Sequence, residues 1–288
     1  GKTGERSGWE RVWGSPGFEA TVRSLGSAVD AKRMSGNLFH LAKDPLPYRK
    51  LNLTLPGHAK STLEEADDFI AGQLESWGYS VQREAVRVQA FRRDTRKPIQ
   101  EQYSPPMPGD PWYTAHNLYA ERKGRSHPDE IILLLAHKDS QSWIDSPGAN
   151  DNAIGTVCVL EIACLLAGHT PERTIRFLFC NEEHTPWTSV TAAQNARKRG
   201  DRIIAIFNLD GVGGKPAAEK AAGKLTNVSF INAGYSAAII NIGSWPYGDP
   251  NYHAEEDTPE NSDVPNAAKV VQATLAAVLT VDESPAKP

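Results

Sequence analysis

Cysteine is scarce: three in 288 residues, at positions 158, 164 and 180. An odd number without paired spacing excludes a disulfide framework and a zinc knuckle, so all three are read as buried thiols. Basic charge is also lacking. The 31 Lys and Arg are outnumbered by 35 Asp and Glu, a formal net charge of −4, which excludes a general nucleic-acid binder. No unbroken apolar run has membrane-spanning length. The longest clean runs, such as Ile131 to Ala136, are strand-length, whereas a spanning helix needs ~20 residues. No membrane span is therefore expected. The opening stretch GKTGERSGWER is polar and lacks a signal-peptide pattern, so the chain reads as cytosolic or as a product of signal removal. Internal repeats, heptads and low-complexity tracts are absent. So are HExxH and GxSxG motifs, and Gly213-Gly214-Lys215 is followed by Pro216 where a phosphate-binding loop needs Ser or Thr.

What is present is an ordinary globular composition, 40% hydrophobic and 23% charged. A chain of this size makes one or two domains and can bury a large core. Residues 20–43 read as a helix, and 44–60 as a polar, Pro- and Gly-containing connection. Ser61-Thr62-Leu63-Glu64 is a capping box. Leu63, Ala66, Ile70, Leu74 and Trp77 follow it at helical spacing, and Gly78 is a stop. Residues 80–92 alternate as a strand. Residues 98–112 hold five prolines and read as a loop. Thereafter strands and helices alternate: strand 130–136, helix 152–168, strand 174–180, helix 187–199, strands 202–209 and 237–242, helix 266–281. That order predicts an α/β fold, a three-layer α/β/α sandwich on a mixed, mostly parallel central sheet. Residues 1–60 are expected to form an extension packed on a main domain of residues 61–288.

In such a sheet, ligands bind beyond the carboxyl ends of the strands. The strand EIILLLA ends in His137-Lys138-Asp139, TIRFLFC in Asn181-Glu182-Glu183-His184, and RIIAIFNL in Asp210. The loop Pro147-Gly148-Ala149-Asn150-Asp151-Asn152 leads into a helix, and Tyr252-His253 follows the last strand. A lone histidine at a strand end is usually a hydrogen-bonded surface residue, and a lone Glu-Glu pair a solvated turn. Every consecutive buried strand ending in a potential ligand is not expected of either. Imidazole and carboxylate together suit zinc.

The stretches LLLAHKDS, PGANDNAIGTVCVLEIA, RTIRFLFCNEEH, IIAIFNLDGVGG, SFINAGYSAAI and YHAEEDTPEN, in that order, resemble the M28 family of co-catalytic dizinc peptidases, chiefly aminopeptidases. The resemblance runs from about residue 60 to the end, and implies that 61–288 is a zinc peptidase catalytic domain. It implies that His137 and Asp210 bind one zinc ion, that Glu183 and His253 bind a second, and that Asp151 bridges them. It further implies that Glu182 is the general base and that the Asp151–Asn152 peptide is cis. Asp139, two residues after His137 on an extended chain, points the same way and would fix the imidazole. Two zinc ions per chain, a peptide substrate with a free N-terminus, and a secreted or periplasmic location after signal removal are what the resemblance implies; a cytoplasmic location stays open.

The sequence departs from the family in three places. His184-Thr185-Pro186-Trp187 replaces a Gly-rich stretch, and His184 and Trp187 either shape a substrate pocket or pack. The segment 210–228 is short. Val228 stands where relatives often carry Tyr or His, leaving the oxyanion donor among Tyr235, Tyr247, Tyr252, a further segment and the metal itself. Two other readings compete with the peptidase: a glutaminyl cyclase-like acyltransferase on the same fold, and a non-catalytic binding module. Retention of all six positions disfavours both.

Overall fold

Residues 131–136 carry no polar side chain because both faces of their strand are covered. In the computed structural model, Ile132, Leu134 and Ala136 enter one apolar cluster, while Ile131, Leu133 and Leu135 enter another on the opposite face. This is the two-residue period of a strand buried on both sides. Residues 16–98, 101–140, 145–214, 230, 233–235, 238–242 and 249–285 are described. In order they form α1 (Pro16–Ser27), α2 (Ala31–Ala42), α3 (Thr62–Ser76), β1 (Gln82–Ala90), β2 (Arg92–Arg93), β3 (Tyr103–Ser104), β4 (Tyr113–Arg122), β5 (His127–His137), α4 (Ile154–Leu166), β6 (Arg173–Cys180), β7 (His184–Thr185), α5 (Thr188–Arg199), β8 (Arg202–Leu209), β9 (Ala238–Ile242) and α6 (Val264–Glu283).

The main sheet has the order β7-β1-β4-β6-β5-β8-β9. Strands β6, β5, β8 and β9 run parallel, β4 pairs antiparallel with β6, and β1, antiparallel to β4, again runs in the direction of the parallel block. The expected mixed α/β/α sandwich is therefore present. Helices α1, α2, α3, α4 and α6 cover one face through Phe18, Leu38, Ile70, Val157 and Leu275. Helix α5 covers the other with Ala192, Ala193 and Ala196.

Several boundaries differ from the sequence reading, each for a local reason. The helix expected over 20–43 is two helices. Asp30 leaves helical geometry (φ −113°, ψ 96°) and caps α2 by accepting from the amides of Lys32 and Arg33. Arg33 then pairs with the buried Glu161 of α4 through two bonds of 2.9 and 2.7 Å. The Pro-rich stretch is not wholly loop, since β2 and β3 pair there as a short hairpin. Strand β4 is ten residues long and lay unread in the sequence. The capping box at Ser61 and Glu64 forms as expected.

Two stretches, Ala149–Leu166 and Val264–Glu283, reach the length and apolarity of a spanning helix. The first is 89% buried within the protein, as the central helix of a folded core is.

Candidate metal centre

Strand β5 lies between β6, which follows it in the chain, and β8, which comes later. The chain therefore leaves β5 in one direction and later crosses to its other side. The crevice beyond the carboxyl end of such a strand is where open α/β sheets bind ligands. His137 ends β5, Glu182 and Glu183 follow β6, and Asp210 follows β8. Asp151 enters from the loop before α4 and His253 from the loop before α6. The Nε2 atom of His137 lies 3.1 Å from Asp151 Oδ1 and 3.7 Å from Asp210 Oδ2. The Nε2 atom of His253 lies 2.7 Å from Asp151 Oδ2 and 2.8 Å from Glu183 Oε1. All five positions singled out in the sequence thus come together, as two triads sharing Asp151. Within each triad the donor atoms lie within 4.8 Å of one another.

The backbone that presents Asp151 is held from several sides. Gly148 sits at φ +56°, and a Cβ there would come within 2.5 Å of the Asp151 carbonyl oxygen, so glycine is required. The Asp257 carboxylate accepts from the amides of Asn150 and Asp151 at 2.7 and 3.0 Å. Asn152 donates its Nδ2 to the Leu209 carbonyl at 2.9 Å, and its Oδ1 accepts from the Gly155 amide at 3.0 Å. The end of β8, and hence Asp210, is thereby tied to the start of α4. The Asp151–Asn152 peptide is cis, as the resemblance implied. His253 is held with a left-handed backbone at φ +54°, sparsely populated for a side chain of this kind.

Asp139 is more than the partner of one imidazole. It accepts from His137 Nδ1 at 3.3 Å, from the Glu182 and Glu183 amides at 2.9 and 2.8 Å, and from His184 Nδ1 at 2.8 Å. One buried carboxylate therefore orients His137 through Nδ1, leaving Nε2 toward Asp151 and Asp210, and fixes the backbone from which both glutamates project. Burial alone would raise its pKa. The bonds from His137 and His184 reverse that and hold it far below the carboxylate range. His184 is fully buried, so it packs behind Asp139 instead of lining a pocket.

The remaining charges are unbalanced in a way that points to a cation. Burial pushes Glu182 up to about 8, against the opposing influence of nearby Ser189 and the charge of His137. Burial likewise raises Glu183. For His253, burial favours the neutral ring, but Glu183 and Asp151 outweigh it and lift the imidazole to about 10. Three carboxylates and two imidazoles, all nitrogen or oxygen donors, crowd a site largely shielded from water. That set fits zinc without a thiolate. Cys180 faces the core, with its thiol against the Ala136 carbonyl at 3.6 Å.

Several supporting residues were not singled out in the sequence. Arg49 is fully buried. It donates to four main-chain carbonyls: Lys138 at 2.6 Å, Leu41 at 2.6 Å, Pro147 at 2.8 Å and Gly148 at 2.7 Å. It ties the end of β5 and the Asp151 loop to the end of α2, and burial lowers its pKa to about 10. Tyr103 of β3 sets its ring edge-on to His253, with centroids 4.1 Å apart, and donates its hydroxyl to the His253 carbonyl at 3.0 Å. Lys138 points away from the site into a buried pair, 2.7 Å from Asp67 and 2.8 Å from Asn181 Oδ1. Lys138→Met strands the Asp67 charge in the core and should cost ~3–5 kcal/mol in urea unfolding. Adding Asp67→Leu should recover most of that loss, and a cost below ~1 kcal/mol, the level of a surface pair, would show the pair to be incidental.

Of the oxyanion candidates, Tyr235 donates to the Asp201 carbonyl at 3.1 Å, at the amino end of β8 and away from the crevice. Tyr252 stacks on His253 at 3.7 Å. Tyr247, Val228 and Ser229 lie outside the described residues.

The fold is the α/β/α scaffold that zinc aminopeptidases of known structure also have. An aminopeptidase from Aneurinibacillus sp. strain AM-1 superposes with a TM-score of 0.69 at 15% identity, over 89% of this chain and 95% of that one. A glutaminyl cyclase from Bacteroides thetaiotaomicron superposes with a TM-score of 0.68 at 19% identity, over 87% of this chain and 97% of that one. At these identities the likeness is one of fold. The chain is similar to peptidase family M28, whose sequence model matches residues 117–227. A probable zinc metalloprotease of Pyrenophora teres f. teres is 28% identical over 159 residues. The match covers 52% of this chain but only 31% of that protein.

Proposed function

We propose that this chain is a zinc peptidase that removes N-terminal residues from peptides, with two zinc ions per chain. His137 and Asp210 would hold one ion and Glu183 and His253 the other, with Asp151, common to both triads, shared between them. The observation that carries this reading is the pair of triads sharing Asp151 at the carboxyl ends of β5, β6 and β8. The M28 match over the residues supplying four of the five donors supports it. Two zinc ions at this place would polarise a scissile carbonyl and acidify a water.

The protein's own groups do the rest. Glu182 is the general base. A buried carboxylate with a raised pKa takes a proton readily and can pass it to the leaving amine. Asp139 keeps His137 in the tautomer that offers Nε2 outward. Zinc accepts neutral nitrogen donors, and in a peptide substrate the group that can supply one, and that acylation removes, is the free α-amine.

N-acetylation of a good peptide substrate is therefore expected to lower kcat/KM by ~10- to 100-fold or more, the worth of one or two charge-assisted hydrogen bonds. Equal turnover of blocked and free peptides would move the activity to an endopeptidase or another amidase. The glutaminyl cyclase fold-mate makes a second reading testable with a peptide that begins in Gln. Hydrolysis releases free glutamine, whereas cyclisation releases ammonia. Retention of Asp210 and His137 beside the other triad favours hydrolysis.

A further inference from the structure

The hairpin of β2 and β3 brings a cation to the edge of the candidate metal centre. Arg93 and Tyr103 are directly opposed in its antiparallel register, so their side chains share one face. That face is turned toward the centre, because the Tyr103 ring packs edge-on against His253. The Arg93 guanidinium carbon lies 5.7 Å from the Tyr103 ring centroid, within cation–π range.

Arg93 differs from its neighbours in what satisfies it. Arg92 forms a two-pronged pair with Asp110 at 2.8 and 2.6 Å. Arg96 does the same with Asp94 at 2.9 and 3.0 Å. The partner found for Arg93 is neutral: its Nε donates to Gln102 Oε1 at 2.7 Å. Among the described residues no carboxylate pairs with it. A planar guanidinium whose Nη edge meets no carboxylate among the described residues is suited to bind one through two parallel bonds.

We propose that Arg93 binds a substrate carboxylate next to the scissile bond, so that the enzyme prefers dipeptides or peptides with an acidic second residue. The proposal rests on the peptidase reading above. A peptide advances ~3.3–3.6 Å per residue. A carboxylate one residue beyond a scissile bond at the two triads thus falls within reach of an arginine on the hairpin that touches His253.

The test uses the zinc-loaded protein and two matched substrate pairs. Leu-Ala against Leu-Ala amide reads a terminal carboxylate, and Leu-Glu amide against Leu-Gln amide reads a side-chain carboxylate. In the wild type, kcat/KM should favour the carboxylate member of at least one pair by ~10- to 100-fold, mainly through KM, the range of a charge-assisted pair of hydrogen bonds. The pair that shows the preference identifies the source of the carboxylate. Arg93→Gln should bring that ratio near unity, and Arg93→Lys should restore part of it. Arg92→Gln, at the adjacent position facing the other way, should leave the ratio in place. Equal cleavage of both members of both pairs by the wild type, or a ratio unmoved by Arg93→Gln, overturns the carboxylate site and leaves the peptidase reading standing. Failure to hydrolyse any of the four free-amine substrates overturns the peptidase reading and this proposal with it.

Discussion

Glu182→Gln is expected to lower the rate of peptide hydrolysis by ~10²–10⁴-fold, the usual cost of losing a general base, while leaving zinc content and thermal stability close to those of the wild type. The two glutamates are neighbours in the chain, yet the structure separates them. The Glu183 carboxylate meets His253 at 2.8 Å, inside a triad. The Glu182 carboxylate stands outside both triads. Glutamine preserves the shape of either side chain but accepts no proton and is a poorer zinc ligand. Glu183→Gln should therefore lose metal, and activity as a consequence. Because both variants are expected to lose activity, rate alone does not separate them; metal analysis beside rate does. A Glu182→Gln protein with full activity, or one that loses zinc while Glu183→Gln keeps it, would reverse the assignment of the pair.

The second large effect concerns Asp151. Its two oxygens lie 3.1 Å from His137 Nε2 and 2.7 Å from His253 Nε2, so it is the one carboxylate common to both triads. Asp151→Asn should weaken both zinc sites together, by more than the ~10- to 100-fold typical of losing an outer-sphere partner. His137→Ala should weaken only its own site and leave one ion on Glu183, Asp151 and His253. Competition with a chromophoric chelator resolves the two binding steps. Independent loss of a single site in Asp151→Asn would show that it does not bridge.

The site was more legible in the sequence than the frame that supports it. His137, Glu183 and Asp210 stand where apolar strands stop, and a strand end in a parallel sheet has a functional address. Asp139 was readable because residues two apart on an extended chain face the same way. Its three other donors were not, since they arrive from beyond β6. Asp257 was readable only as part of the stretch following His253, and its bonds to the Asn150 and Asp151 amides span more than a hundred residues of chain. Arg49 had no sequence signal at all, because its partners are four carbonyls and carbonyls have no residue type. Strand β4 escaped for a different reason. Its buried row includes Asn117, next to the buried Leu118, which breaks the two-residue alternation. Asn117 is tolerated there because Nδ2 donates to Glu84 at 2.8 Å and to the Thr188 carbonyl at 2.9 Å. The hairpin carrying Tyr103 and Arg93 was masked by proline content, which marks turns but does not exclude two short paired segments between them.

The most direct measurement is the zinc stoichiometry of the intact, metal-saturated chain by native mass spectrometry, checked by elemental analysis. Paired triads sharing Asp151 require two ions per chain in the wild type and one in His137→Ala. A wild-type protein that saturates at one ion or none would contradict the dizinc centre on which the proposed chemistry rests.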